Sequence, residues 1–366
     1  MSELVGPAVS GIKQRIHESL TGDISFSTFG EFALYGNQGY YRRGRVAFGD
    51  PLHFETSASE SPAFGIINAE IGIDTYNCLG RPQNFDLVEL GPGDGTQAAT
   101  ILGHLALVNE AMYNRTQLTL VEISPALVKR QRQALEGHSN VRWVKGSSAG
   151  ELPFEDGEVQ GMVLSNEFLD AIPADCLIRQ KTIKELRIAL NAASELVVRT
   201  APLRPELAAL PDAKRTFSFS RKPVSLAAHT FMRELGRVMG KGSTALTYDY
   251  GWASDFAITI MENFRTFGPD VPESTKKIVP LTKVLHLAGL IDITYGVNFE
   301  TLQMTGREAG LTTTYFGKQG KFLHQNVFDL AVSDAQRSHP HVSLDRLLVP
   351  VTRHKNYHTL MQQKVS

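Results

Sequence analysis

The sequence predicts an α/β fold built on a doubly wound, mostly parallel sheet, and three observations carry that prediction. From Phe85 onward, short apolar runs alternate with helical patterns, which is the texture of βα units. The first strand-to-helix junction, Glu89-Leu90-Gly91-Pro92-Gly93-Asp94-Gly95-Thr96, places three glycines at alternate positions. At 366 residues the chain is long enough for one large α/β domain with insertions, or for two to three units of about 100 to 200 residues.

Each element follows from its residues. The run FDLVEL, residues 85–90, is continuously apolar apart from its acids, as expected of a strand buried on both faces. Residues 96–112 carry apolar side chains at helical spacing. TQLTLVEI is a second strand, and the helix after it has Ser124 as cap, Pro125 at its first position and Gly137 beyond its last. Residues 141–146 and 159–167 supply a third and a fourth strand, so half of a doubly wound sheet is in place. Residues 175–223 alternate like hairpin strands and then turn proline-rich, and are read as an insertion. SLAAHTFMRELGRVM is a helix and STALTYDYG a fifth strand; residues 252–290 form a second irregular stretch. VNFETLQMTGREAG is a helix stopped by Gly310, and LTTTYF and NYHTLMQQK are the last strands. Ahead of all this, residues 12–20 and 62–74 read as helices separated by glycine-punctuated loops. The expected division is an N-terminal lobe, 1–84, and a main domain, 85–366, with insertions at about 175–223 and 252–290.

Composition narrows the function classes. Lys plus Arg number 37 against 38 Asp plus Glu, a net charge of −1, which argues against a generally basic nucleic-acid binder and a polybasic membrane-surface protein. Apolar residues at 42% and charged residues at 20% fit a folded globular chain. The two cysteines, Cys78 and Cys176, are too few for a disulfide framework, and no Cys/His/Asp/Glu set has metal-ligand spacing. No stretch reaches the roughly 18 apolar residues of a membrane span, and the first 20 residues lack a signal-peptide core. The expectation is a cytoplasmic protein with no metal, no nucleic acid and no membrane partner.

The chemistry-bearing residues lie at strand ends. The glycine loop misses the dinucleotide fingerprint, because Thr96 stands where its third glycine belongs, and it has no Lys-Ser/Thr pair to cradle phosphates. Acid-x-Gly-x-Gly-x-Gly, here Glu89, Gly91, Gly93 and Gly95, is instead the pattern of S-adenosylmethionine binding, in which glycines let the cofactor approach the backbone closely. Glu122 ends the second strand, where a carboxylate can accept both ribose hydroxyls. Ser147 follows the third strand, as an adenine partner or as a turn cap. Asn166 and Glu167 end the fourth strand and face the donor methyl; Asp170 is placed to cap a following helix.

The runs ISFSTFGEFALYGNQGYY, HFETSASESPAFG, LVELGPGDGT, VEISPALVKRQRQAL, SNEFLDAIP, ALTYDYG, DITYGVNFETL and NYHTLMQQK resemble, in that order, the MidA-like family of class I methyltransferases, which includes the mitochondrial complex I assembly arginine methyltransferase. The resemblance spans residues 24–364 and is most specific at ALYGNQGYY and SNEFLDAIP. It implies a class I methyltransferase Rossmann-like sheet with an N-terminal lid lobe and inserted substrate-side segments, with S-adenosyl-L-methionine as cofactor. It also implies that Thr56 and Ser57 join the cofactor set, and that His53, Tyr40 and Tyr41 meet Glu167 from the lid side. His53, Ala58, Ser59, Ile66, Gly296 and Asn298 depart from the family pattern, several of them replacing acids.

A guanidinium, with five donors, wants carboxylates around it. With those acids altered, the expected acceptor is a small molecule methylated on N or O, with Glu167 orienting or deprotonating it. The alternatives are arginine methylation on a protein and a non-catalytic S-adenosylmethionine-binding assembly factor. A homodimer stays open.

Overall fold

The computed structural model describes residues 5–43, 56–214, 221–252, 281–326, 328–352 and 357–365. In chain order its strands are β1 (Asp23–Ser25), β2 (Phe85–Leu90), β3 (Thr116–Glu122), β4 (Val141–Lys145), β5 (Gly161–Asn166), β6 (Asp175–Arg179) and β7 (Ile183–Leu190). They continue as β8 (Leu196–Pro202), β9 (Arg221–Val224), β10 (Thr244–Trp252), β11 (Val297–Asn298), β12 (Leu311–Lys318) and β13 (Tyr357–Lys364).

The main sheet runs β12-β13-β10-β5-β2-β3-β4, with β11 added beside β10. Strands β4, β3, β2, β5 and β10 are parallel, so the ends of β2, β3, β5 and β10 share one edge. The chain direction reverses between β2, which leads outward to β3, and β5, which leads to β10; in an open α/β sheet this switch point is where ligands bind. β13 enters antiparallel between β10 and β12, and it starts opposite the end of β10, with Tyr357 facing Tyr250. That reversal delivers a C-terminal residue to the ligand edge.

Both faces of this sheet are covered, which is why its central strands read as continuous apolar runs. Leu87, Met162 and Leu164 pack against the helices Pro62–Cys78 and Thr96–Val108. Val88, Leu90 and Val163 pack against Leu226–Val238 and Phe299–Glu308. The segment expected as one helix over 96–112 breaks at Asn109, whose Oδ1 accepts from Met112 N at 3.1 Å and caps a separate short turn.

Strands β6 to β9 form a second sheet with β1 from the N-terminal segment. The residues before Phe85 are divided between two cores: helices Val9–Glu18 and Phe26–Tyr35 pack on the second sheet and on residues 281–295, while Pro62–Cys78 belongs to the main one. A buried ion network, Arg204 with Asp175 and Glu185 and Arg187 with Asp23, closes the second sheet on β1. Within the irregular stretch expected at 252–290, residues 253–280 lie outside the described residues.

Candidate active site

The glycine loop leaves β2 with Gly91, Gly93 and Gly95 at φ of +60°, +57° and +90°, a region that side-chain-bearing residues avoid. The loop is also crowded. A Cβ on Gly91 would meet Phe168 Cδ2 at 3.0 Å, and one on Gly95 would meet Gln131 Cα at 3.1 Å. Asp94 Oδ1 accepts from Thr96 N at 3.0 Å and pins the start of the helix.

Two acids flank the loop. Glu89 is buried; Gln97 Nε2 donates to its Oε1 at 3.0 Å, Oε2 has no partner, and burial pushes its pKa up to about 8. Glu122, at the end of β3, takes the amide of Ser124 on Oε1 at 2.7 Å and Gln131 Nε2 on Oε2 at 3.1 Å. Burial raises its pKa to about 7, against those hydrogen bonds. The backbone amide of Ile123 also bonds this carboxylate, and of its about four acceptor positions one is left for a hydroxyl. Ser147 bonds within its own turn, donating to Glu151 Oε2 and accepting from Ala149 N, both at 3.1 Å.

The N-terminal segment reaches this region. Ser124 Oγ donates to Tyr41 O at 2.8 Å, and Ser148 Oγ to Glu31 Oε1 at 3.3 Å. Tyr41 OH donates to Asp292 Oδ1 at 3.0 Å, and its ring stacks on Tyr35 at 5.5 Å and meets Tyr40 edge-on at 5.3 Å.

At the end of β5, Glu167 takes φ +50°, one of three non-glycine residues with positive φ among the described residues. Asp249, on β10, holds the turn: its Oδ2 accepts from Leu169 N at 2.9 Å and Asp170 N at 3.2 Å. No helix follows Asp170, so the capping role expected of it is replaced by this turn, in which Asp249 serves the amides and the Asp170 carboxyl is left among other acids. The Glu167 side chain bonds to Tyr357, Asn166 and the backbone amide of Ser57. Ser57 and Thr56 are buried in a single helical turn, where Thr56 makes a capping box with Ser59 and Ser57 Oγ accepts from Gln319 Nε2 at 2.9 Å.

Glu167, Asp170, Asp249 and Asp292 are thus brought together; burial raises them all, and repulsion by neighbouring acids adds to it for Glu167 and Asp170. Glu167 rises to about 8, Asp249 and Asp292 to about 7, and Asp170 rises well above its usual range. Among the described residues, no Lys, Arg or His forms an ion pair with any of the four. Tyr35 senses Asp292, Asp170 and Glu122 together, so the two halves adjoin. Enclosed oxygens without partners include Glu89 Oε2, Gln131 Oε1, Asn166 Oδ1, Glu167 Oε1 and Asp292 Oδ2. This edge asks for a ligand rich in hydrogen-bond donors.

The structure places Glu89, the three glycines, Glu122, Thr56, Ser57, Asn166, Glu167, Tyr40 and Tyr41 around the carboxyl edge of the sheet; His53 lies outside the described residues. Sequence reasoning passed over Asp249, Asp292, Tyr35, Tyr357 and Gln131. The signal for the two aspartates was present: each is an acid inside an apolar or aromatic run, ALTYDYG and LIDITYG. Among the described residues no group of three or more His, Cys, Asp and Glu is arranged to hold a metal ion.

Comparison with known proteins decides the family. Residues 69–317 match the family described as "Putative S-adenosyl-L-methionine-dependent methyltransferase". The chain belongs to this MidA-like methyltransferase family. Its cofactor is accordingly S-adenosyl-L-methionine, and the partnerless oxygens beside the glycine loop suit a donor-rich nucleoside there.

A crystal structure from Burkholderia thailandensis with S-adenosyl-homocysteine bound shares the fold. Its TM-score is 0.77 at 22% identity, over 99% of this chain and 95% of that one. Among curated relatives, the Drosophila melanogaster "Protein arginine methyltransferase NDUFAF7 homolog, mitochondrial" is 30% identical over 168 residues, 42% of this chain and 38% of that protein. The Danio rerio "Protein arginine methyltransferase NDUFAF7, mitochondrial" is 27% identical over 304 residues, 77% of this chain and 68% of that protein. The chain therefore spans well under half of the fly relative and about two thirds of the fish one.

These mitochondrial relatives overturn the cytoplasmic expectation. A low cysteine count and a near-neutral net charge do not distinguish the cytoplasm from a mitochondrial compartment. No described helix is long and apolar enough to cross a membrane.

Proposed function

We propose that this methyltransferase acts on the guanidinium of an arginine in a protein. The observation that carries this reading is the group of neighbouring buried carboxyls, Glu167, Asp170, Asp249 and Asp292, with no cation among the described residues paired to any of them. Carboxylates held near one another and out of water are unfavourable until a cation joins them. A guanidinium supplies a delocalised charge and five donors to partnerless oxygens such as Glu167 Oε1 and Asp292 Oδ2. The names of the relatives agree with this acceptor more than with the small molecule expected from the altered family positions.

On the donor side, Glu122 would hold the ribose with its remaining acceptor position, Glu89 would receive a further hydrogen on Oε2, and the glycine loop would admit the amino-acid portion. S-adenosylmethionine supplies a methyl group already activated on a sulfonium centre. The chain's own work is then to hold the nitrogen in line and to remove a proton. A bound guanidinium lowers the Glu167 pKa by charge attraction, so the carboxylate forms when it is needed, accepts an N–H, and takes the proton that the methylated nitrogen sheds. Tyr357 and Asn166 fix its rotamer.

Incubation of the purified chain with isotope-labelled donor and a lysate tests this assignment. Label recovered as methylarginine in the protein hydrolysate is the expected result. Label confined to extractable metabolites would overturn the acceptor, and no labelled acceptor at all would favour the assembly-factor reading.

A further inference from the structure

We propose that Gln131 is the positioning residue of the donor site, setting the glycine loop and the ribose acid in register through one carboxamide. The inference rests on the reading of Glu122 as the ribose acceptor, and its geometry is independent of the acceptor. Gln131 stands on the helix Pro125–Ala134 and is completely buried. Its Nε2 donates to Gly93 O at 2.8 Å and to Glu122 Oε2 at 3.1 Å, so both amide hydrogens are used. Two oxygens facing one end of the amide fix that end as the NH2 group. Oε1 at the other end is enclosed without a partner.

The helix also approaches the loop closely enough that only glycine fits at position 95, where a Cβ would come to 3.1 Å from Gln131 Cα. One side chain therefore spans the two elements that meet the donor. It helps to fix which Glu122 lone pair stays free, because Ser124 N and Gln131 Nε2 occupy one position on each oxygen and the Ile123 amide bonds the same carboxylate. It also holds the Gly93 peptide in one of the many conformations open to a glycine, here φ of +57°. A carboxylate free to rotate, or a loop free to drift, would still bind the donor, but after paying the ordering cost on each encounter.

The test is a double-mutant cycle on S-adenosylhomocysteine affinity by calorimetry, with donor KM and kcat measured alongside. Gln131→Met keeps length and apolar volume and removes both bonds. It should weaken binding at least 10-fold and raise donor KM by a similar factor, with kcat at saturating donor close to wild type. In a Glu122→Ala background the same change should cost less than 3-fold, because the group it positions is gone. A merely structural glutamine would lower thermal stability equally in both backgrounds without this coupling.

If Gln131→Met does not fold, Gln131→Glu keeps the shape but donates to neither oxygen when ionised and to one at most when protonated, so weaker binding is again expected. Wild-type affinity in a folded Gln131 variant, with Glu122→Ala weakened, would overturn the proposal. Unchanged affinity in Glu122→Ala would instead overturn the reading of the ribose acid.

Discussion

At Glu167 a carboxylate sits on a residue in left-handed backbone, with its turn held by Asp249 and its side chain by Tyr357 and Asn166. Strain of this kind persists only where the surroundings enforce it, and it is common where a side chain must be aimed. Glu167→Gln keeps the size and removes the ability to take a proton. The methyl-transfer rate at saturating donor should fall by roughly 10²- to 10⁴-fold, with S-adenosylhomocysteine affinity near wild type. The free-enzyme pKa of about 8 sets the pH dependence: kcat/KM for the acceptor should rise with pH and level off above about 8. This limb should flatten in the Gln variant. A Gln variant as fast as wild type would remove Glu167 from the chemistry. The apparent value belongs to the cluster rather than to Glu167 alone, because Asp249 and Asp170 titrate beside it.

Among the elements, those with strong local signals were legible in the sequence. The run FDLVEL coincides with β2, and Ser124, Pro125 and Gly137 bracket the helix as cap, first turn and stop. The loop between β2 and its helix was legible because glycine spacing is a backbone requirement written one residue at a time. What depended on distant pairing was not. β1 reads as part of a glycine-rich lobe, and its partner β7 lies about 160 residues away in the segment taken as an insertion. Tyr357 was seen as strand, but its arrival beside Glu167 depends on β13 running antiparallel into the sheet. Gln131 was hidden because a polar residue on a helix with Arg130 and Arg132 beside it looks solvated, whereas its face is the one turned to the loop.

Across the whole molecule the buried acids leave a signature in stability. The folded pKa values of Glu89, Glu122, Glu167, Asp249 and Asp292 lie at about 7 to 8, well above their unfolded values. The folded state therefore binds more protons than the unfolded state between about pH 4.5 and 8, and stability falls as pH rises through that window. His138 and His339 have lowered pKa values, so they oppose the trend only while the unfolded imidazole titrates, up to about pH 7.5. The ligand-free protein should melt at a lower temperature at pH 8.5 than at pH 6.5, and S-adenosylhomocysteine with a guanidinium ligand should narrow the difference. A melting temperature that climbs over this range would show that the acids are not held as described.

The central claim is that the acid cluster next to the donor site recognises a guanidinium. Its most direct test is titration of the S-adenosylhomocysteine-saturated chain with a short peptide bearing a single arginine, and with the same peptide carrying lysine or citrulline instead. Citrulline keeps the shape and loses the charge; lysine keeps the charge and loses the planar fork. We predict that the arginine peptide binds at least 10-fold tighter than either, and that Glu167→Gln removes most of that preference. Equal affinity for all three peptides would contradict the account.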